Sequence, residues 1–207
     1  MRFAATNWTA CSTSPPTGSR ACTPPRTVPG AADPPLVVAT GNPGKLREFR
    51  ALLDGLPFRL LSQAELGVEP PEETGATFLE NALLKARHAQ RCTGGLAVLA
   101  DDSGLEVDAL GGAPGVHSAR YAGAAASDAE NNAKLIAALA GVAEGRRTAN
   151  YRCVLVHLPA EDPRSCDAAR PGAPVIEEAS WAGLIVDRPR GRGGFGYDPH
   201  FLLPELG

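Results

Sequence analysis

The chain has 207 residues, of which 43% are hydrophobic, 21% charged and 5% aromatic, with a net charge of −3 and a pI near 5.8. These values exclude collagen, coiled coil and a wholly disordered chain, and the acidic balance argues against a protein that coats nucleic acid through phosphate neutralisation. Apolar runs reach only about five to six residues, too short to span a bilayer, and five cysteines without a Cys-x-x-Cys signal neither a disulfide framework nor a zinc site.

Residues 1–35 hold 7 of the 19 prolines, six threonines, three serines, three arginines and a single acid, Asp33. No helical or strand period appears, so a disordered Pro/Thr/Ser-rich tail is expected. The stretch lacks the apolar segment of a secretory signal and the amphipathic period of a transit peptide. The odd number of cysteines, with no Cys-x-x-Cys, makes reduced thiols in the cytoplasm the expected setting. Residues 36–207 suffice for one domain with a real core.

Leu36 to Thr40 reads as a buried strand, and Lys45 to Leu53 as a helix with Leu46, Phe49 and Leu53 on one face. Phe58 to Leu61 is a short strand, and Glu69 to Gly75 a loop. A helix from Thr77 to Arg91 opens with Thr77-x-x-Glu80, a capping box, and carries the apolar stripe Leu79, Ala82, Leu83 and Ala86. Leu96 to Ala100 is a strand. Ser127-x-x-Glu130 caps another helix, reaching about Ala140. Tyr151 to Leu158 and Val175 to Val186 read as antiparallel strands around a Pro-rich loop. The mixture predicts an α/β class.

Thr40-Gly-Asn-Pro-Gly-Lys45 joins a strand to a helix start. Its glycines let backbone amides approach an anion, the helix N-terminus favours negative charge, and Lys45 adds a point charge. It is not a P-loop, because two residues separate the glycines where that motif has four, and Leu46 stands where the metal-binding Ser/Thr would be. An ordinary strand–helix turn explains the same shape. Only three of the 20 Lys and Arg residues are lysines, namely Lys45, Lys85 and Lys134, and two of them fall where a phosphate contact is plausible.

Thr77, Asn81, Lys85 and His88 form a polar face opposite the apolar stripe. A solvated face is its ordinary fate, but the preceding Glu72 and Glu73 offer carboxylates for Mg²⁺. Ala100-Asp-Asp-Ser-Gly104 puts two acids at the carboxyl end of a strand, the edge where ligands bind in α/β sheets. Adjacent acids there point to opposite sides, so one can bind metal while the other supports the loop. An Asx-turn with Ser103 and Gly104 is the competing structural reading. Gly191-Arg-Gly-Gly-Phe-Gly-Tyr-Asp-Pro199 can fold closely around a flat ligand, with Phe195 stacking on a base and Asp198 accepting from a base edge or a neighbouring amide. Arg120 is a candidate phosphate contact, and His117 a weaker one. Cys92, Cys153 and Cys166 lack the setting of a nucleophile, and Cys153 reads as core.

Together these motifs resemble the inosine/xanthosine triphosphate pyrophosphatase family, in family order and over nearly the whole chain from Leu36. The resemblance rests on Thr40 to Lys45, on Glu72 to Gly75 with Phe78 to Asn81 and Lys85-Ala86, and on Ala100 to Leu105. Gly111 to Gly115 with Ser118 to Tyr121, and Gly193 to Pro199, complete it. It implies an elongated, mixed, twisted sheet in two lobes with a nucleotide cleft between them, as a homodimer. It implies Mg²⁺-dependent hydrolysis of ITP, dITP or XTP to the monophosphate and pyrophosphate, with neither nucleic acid nor membrane as a partner. By position, Thr40, Gly41, Asn42, Pro43, Gly44 and Lys45 would hold the triphosphate, with Lys85 beside them. Asp102 would be the proton acceptor and a metal ligand, with Glu73 as second metal ligand and Ser103 touching substrate. Phe195, Gly196, Tyr197 and Asp198 would hold the base.

The family continues past Leu203 with a helical segment bearing a lysine and a Ser-His-Arg motif, which this sequence lacks. Weaker base discrimination and an exposed apolar patch are the expected consequences. Two other readings compete. One is the related Maf-like group of nucleotide pyrophosphatases, with other base specificity. The other is an inactive nucleotide-binding fragment, against which the intact Asp101-Asp102 and Glu72-Glu73 pairs speak.

Overall fold

The computed structural model describes residues 33–161 and 172–206. The tail expected over residues 1–35 lies almost wholly outside them, as does Cys166. Six strands form one mixed sheet in the order β2-β1-β3-β4-β5-β6. They are β1 (Pro35–Ala39), β2 (Arg59–Ser62), β3 (Ala97–Val107), β4 (Thr148–Leu158), β5 (Val175–Ile185) and β6 (Phe201–Leu202). β1 runs parallel to both β2 and β3, and the remaining pairs are antiparallel. Among the described residues three α-helices flank the sheet: α1 (Pro43–Leu52), α2 (Phe78–Cys92) and α3 (Asp128–Ala138).

The caps read from the sequence form, with one shift. Ser127 and Glu130 close a full reciprocal box on α3. Thr77 Oγ1 accepts the Glu80 amide at 3.1 Å, but the Glu80 carboxylate takes the amide of Ala76, not that of Thr77. α2 lies on the sheet through Phe78, Ala82, Ala86 and Ala89, all buried, with Leu79 and Leu83 at the margin. Alanines let the helix approach closely.

One strand is much longer than its sequence suggests. β3 was expected to stop at Ala100, and the acids after it to sit in a strand end or an Asx-turn. Instead β3 continues to Val107, paired residue by residue with β4 from Val98↔Leu158 to Val107↔Ala149. Asp, Ser and Gly are poor strand formers, but β4 supplies a hydrogen-bonding partner along the whole length, and tertiary pairing overrides local preference.

The alternation of β3 then builds two cores. Val98 and Ala100 face α2, packed with Val37, Ala39, Val154 and Val156. Leu105 and Val107 face the other side, packed with Leu135, Leu139, Ile185, Tyr197 and Phe201. The segment between them on β3, Asp101 to Gly104, joins the two halves.

Candidate active site

β1 pairs with β3 only as far as Ala39↔Ala100. Beyond that point β3 has lost its parallel neighbour, and Asp101 and Asp102 follow immediately. This is the carboxyl end of a parallel strand pair, the edge at which ligands bind in α/β sheets, although the acids lie in mid-strand. Successive side chains leave opposite faces of the sheet. Asp102 meets the Lys85 ammonium from α2 at 2.8 Å, and Asp101 meets Lys45 from α1 at 2.6 Å. Both acids are buried, and Asp101 Oδ1 and Asp102 Oδ2 have no hydrogen-bond partner among the described residues.

Lys85 also reaches Glu73 Oε1 at 3.1 Å, and Arg120 donates to Glu73 Oε2 at 3.0 Å and to its main-chain oxygen at 3.4 Å. Arg120, expected on a phosphate, thus grips a carboxylate in this structure. Burial pushes the Asp102 carboxyl above the usual range, against the pull of Lys85, and the neighbouring Glu73 charge pushes it the same way. For Glu73 burial acts upward too, but Lys85 and Arg120 prevail and hold it below the usual range. Burial would lower Lys45, yet Asp101, followed by Asp102, keeps it above the ordinary lysine value.

The polar face of α2 is solvated only at its start: Thr77 is exposed, but Asn81 and Lys85 are buried and His88 is half-buried. Its residues dock the acidic loop. Asn81 Oδ1 accepts the Gly75 amide at 2.8 Å, Lys85 holds Glu73, and His88 Nε2 lies 2.9 Å from Glu69 O. Glu73 is turned inward by this docking, while Glu72 stays exposed.

The Thr40–Lys45 turn is also more occupied than its sequence suggests. Asn42 caps α1 by accepting from the amides of Gly44 at 2.7 Å and Lys45 at 3.2 Å, and its own amide donates to Thr40 Oγ1 at 3.2 Å. The helix-start amides therefore already have a partner. Pro43 at the first helical position has no amide to offer. Asn42→Ala is expected to lower stability by about 1 kcal/mol, the worth of an N-cap, read from a denaturation midpoint at unchanged m-value.

Phe195 lies against this turn, so close that a Cβ on Gly44 would stand 2.9 Å from its ring. The Gly-rich loop is fixed from several sides. Asp198 accepts from the Phe195 amide and from the Tyr151 hydroxyl, both at 3.1 Å. Tyr197 is buried, and its hydroxyl donates to Ser118 O at 2.8 Å. Gly196 donates to Asp128 Oδ2 at 2.7 Å and accepts from Asn132 Nδ2 at 2.8 Å. Nothing in the sequence marks Asp128, Asn132 and Tyr151 beyond an asparagine four residues after an aspartate on a capped helix. A groove of about 650 Å³ runs along α3 beside the loop, lined by Asp128, Asn132, Ile136, Phe195, Gly196 and His200 among others.

Ser103 is half-buried between the acids and Gly104, and His117 is exposed. Cys153 is half-buried rather than core, and burial and then Asp101 push its thiol up to about 11, which disfavours the thiolate.

The sequence model of the Ham1 family matches residues 36–207. A dITP/XTP pyrophosphatase of Yersinia pseudotuberculosis is 55% identical over 173 residues, covering 83% of this chain and 83% of its own length. Another, from Xanthomonas oryzae pv. oryzae, is 56% identical over 173 residues, covering 83% and 82%. Among solved structures, a HAM1 protein from Coxiella burnetii superposes with a TM-score of 0.72 at 44% identity, over 84% of this chain and 83% of that one.

Proposed function

The chain belongs to the Ham1 family, and from that premise we propose that it hydrolyses the triphosphates of non-standard purines, dITP, ITP and XTP, to the monophosphate and pyrophosphate. The observation that carries the reading is the pair of lysine-held carboxylates on opposite faces of β3, at the point where β1 ends. In this reading the attacking water gives its proton to Asp102 Oδ2, a new phosphorus–oxygen bond forms, and the anhydride bond breaks to release pyrophosphate. Lys85 holds the other oxygen of Asp102, so the basic oxygen has a fixed direction. Ser103 and the Thr40–Lys45 turn lie beside that point and take the phosphates.

The charge count supports Mg²⁺ as cofactor. Asp101, Asp102 and Glu73 are matched by Lys45, Lys85 and Arg120, so the cluster has no positive charge to spare for a triphosphate. Mg²⁺ takes one or two carboxylates and completes its shell with water and substrate phosphates. The Asp102 and Glu73 carboxylates would hold it. When bound it would neutralise phosphate oxygens and acidify water. A homodimer and a cytoplasmic location belong to the same proposal. The exposed aliphatic start of β5, with Val175 54% exposed, supports the dimer, and unpaired Cys92 and Cys153 suit a reducing compartment. No helix among the described residues is long and apolar enough to cross a membrane.

Base selectivity follows from hydrogen bonding. Hypoxanthine and xanthine present a 6-oxo group and an N1–H, where adenine has an amine and a bare nitrogen. A site that pairs with the oxo form leaves buried groups unpaired against adenine. Pyrophosphate release from dITP is therefore expected to exceed that from dATP and dTTP by at least about a hundredfold, and to need Mg²⁺. Equal release from all of these, or preference for dTTP, would overturn the reading.

A further inference from the structure

We propose that Asp128 and Asn132 of α3 are specificity-determining positioning residues, which fix the Gly196 peptide groups and thereby the aim of Phe195 and Asp198 at the base. This rests on the reading that the 195–198 turn holds the base. Gly194 and Gly196 both have positive φ, +86° and +59°, so the turn contains two backbone positions with little intrinsic preference for one shape. Its internal bonds, from the Phe195 amide to Asp198 and from the Asp198 amide to Phe195 O, close the turn without orienting it.

Tyr151 holds Asp198 and Ser118 holds Tyr197, and α3 supplies the outside reference for the Gly196 peptide groups between them. Asp128 and Asn132 are four residues apart, so they stand one turn above the other on one face. One takes the N–H of Gly196 and the other its C=O. The helix is itself held elsewhere: Leu135 and Leu139 are fully buried, and Asn131 bonds Ala122 N and Ala119 O. It does not need Gly196 to keep its place.

Asn132 is the more telling of the two. Its Nδ2 donates to Asp128 O and to Gly196 O, both at 2.8 Å, so both of its hydrogens are used. Its Oδ1 is buried with no partner among the described residues. An empty buried acceptor lowers stability, and alanine would avoid it while keeping a helix former here. The asparagine is explained by what it holds.

The test uses the full chain with Asn132→Ala, Asp128→Ala, Asp128→Asn and, as a control, Phe195→Ala. kcat and KM are measured for dITP, dGTP and dATP. Asn132→Ala and Asp128→Ala are each expected to reduce the dITP-to-dGTP ratio of kcat/KM about tenfold, mainly through KM for dITP, as the loss of an orienting hydrogen bond implies. Asp128→Asn keeps an acceptor oxygen and should retain most of the ratio. Asp128 is exposed, so its variants test the idea even if Asn132→Ala folds poorly. If both alanine variants keep the ratio, or lose kcat equally for every nucleotide, while Phe195→Ala changes it, the positioning role is wrong. If Phe195→Ala also leaves the ratio unchanged, the base-site reading has failed, and this inference with it.

Discussion

Replacing Asp102 by asparagine is expected to lower kcat for dITP by about a thousandfold or more, within the span that a general base contributes, with KM changed only a few-fold. The substitution keeps the shape of the side chain and removes its basicity. Lys85 retains Glu73 as a partner at 3.1 Å, so the ammonium is not stranded. That separates chemistry from folding, because stripping a buried ion pair of one charge would otherwise cost about 3–5 kcal/mol. The oxygen on which the mechanism depends is Oδ2, buried and without a partner among the described residues, while Oδ1 is tied to Lys85. Burial raises the proton affinity of this carboxyl and Lys85 opposes the rise. Asp101 is the natural rival, one residue away, but it leaves the other face of the sheet and holds Lys45. The measurement is pyrophosphate release under saturating dITP and Mg²⁺, on protein whose melting temperature matches the parent. A kcat within tenfold of the parent would remove Asp102 from the reaction and return the choice to Asp101 or Glu73.

What could be read from the sequence divides by range of interaction. Caps are local, and Thr77, Ser127 and their glutamates announced two helices correctly. The acids of β3 were also visible, but their setting was not. Whether a strand continues through Asp-Asp-Ser-Gly depends on β4, which lies about fifty residues later in the chain. The same holds for the polar face of α2. Its spacing gave a face, while burial of Asn81 and Lys85 came from the acidic loop folding back onto it. The resemblance to a pyrophosphatase family placed Thr40 to Lys45 beside the triphosphate, but it did not show that Asn42 already occupies the amides of Gly44 and Lys45. Arg120 is the converse case. Its residue type made it a candidate phosphate contact, and its grip on Glu73 was not legible. In each instance the residue type was informative, and the partner required a contact distant in sequence.

Gly104→Ala is expected to destabilise the fold by about 1–3 kcal/mol, the usual cost of overpacking, and to reduce activity in the molecules that remain folded. A Cβ at this position would stand 2.5 Å from Gly115 O, 2.5 Å from Ser118 Oγ and 2.9 Å from Phe78 Cε1. One of those atoms is backbone, and Ser118 cannot rotate away freely. Its hydroxyl donates to Gly115 O at 2.6 Å and accepts the Leu105 amide at 2.9 Å. The Gly115–Arg120 turn would have to lift off β3 as a unit. That turn carries Arg120, which holds Glu73, and Ser118 O, which receives the Tyr197 hydroxyl. One methyl group therefore disturbs the Glu73 contact and the Tyr197 contact together. The opposing effect, a smaller loss of backbone entropy for alanine, is worth about 0.4–1 kcal/mol and does not outweigh the clash. Gly145 supplies the control, because a Cβ there meets nothing within 4 Å and its φ is not positive. Gly145→Ala should leave the denaturation midpoint unchanged or slightly raised, with full activity. If Gly104→Ala shifts stability by less than about 0.5 kcal/mol, the scale of an ordinary surface substitution, then the turn can yield without cost. The close approach of β3 to the Arg120 segment would then not be what holds the two sides of the cleft in register.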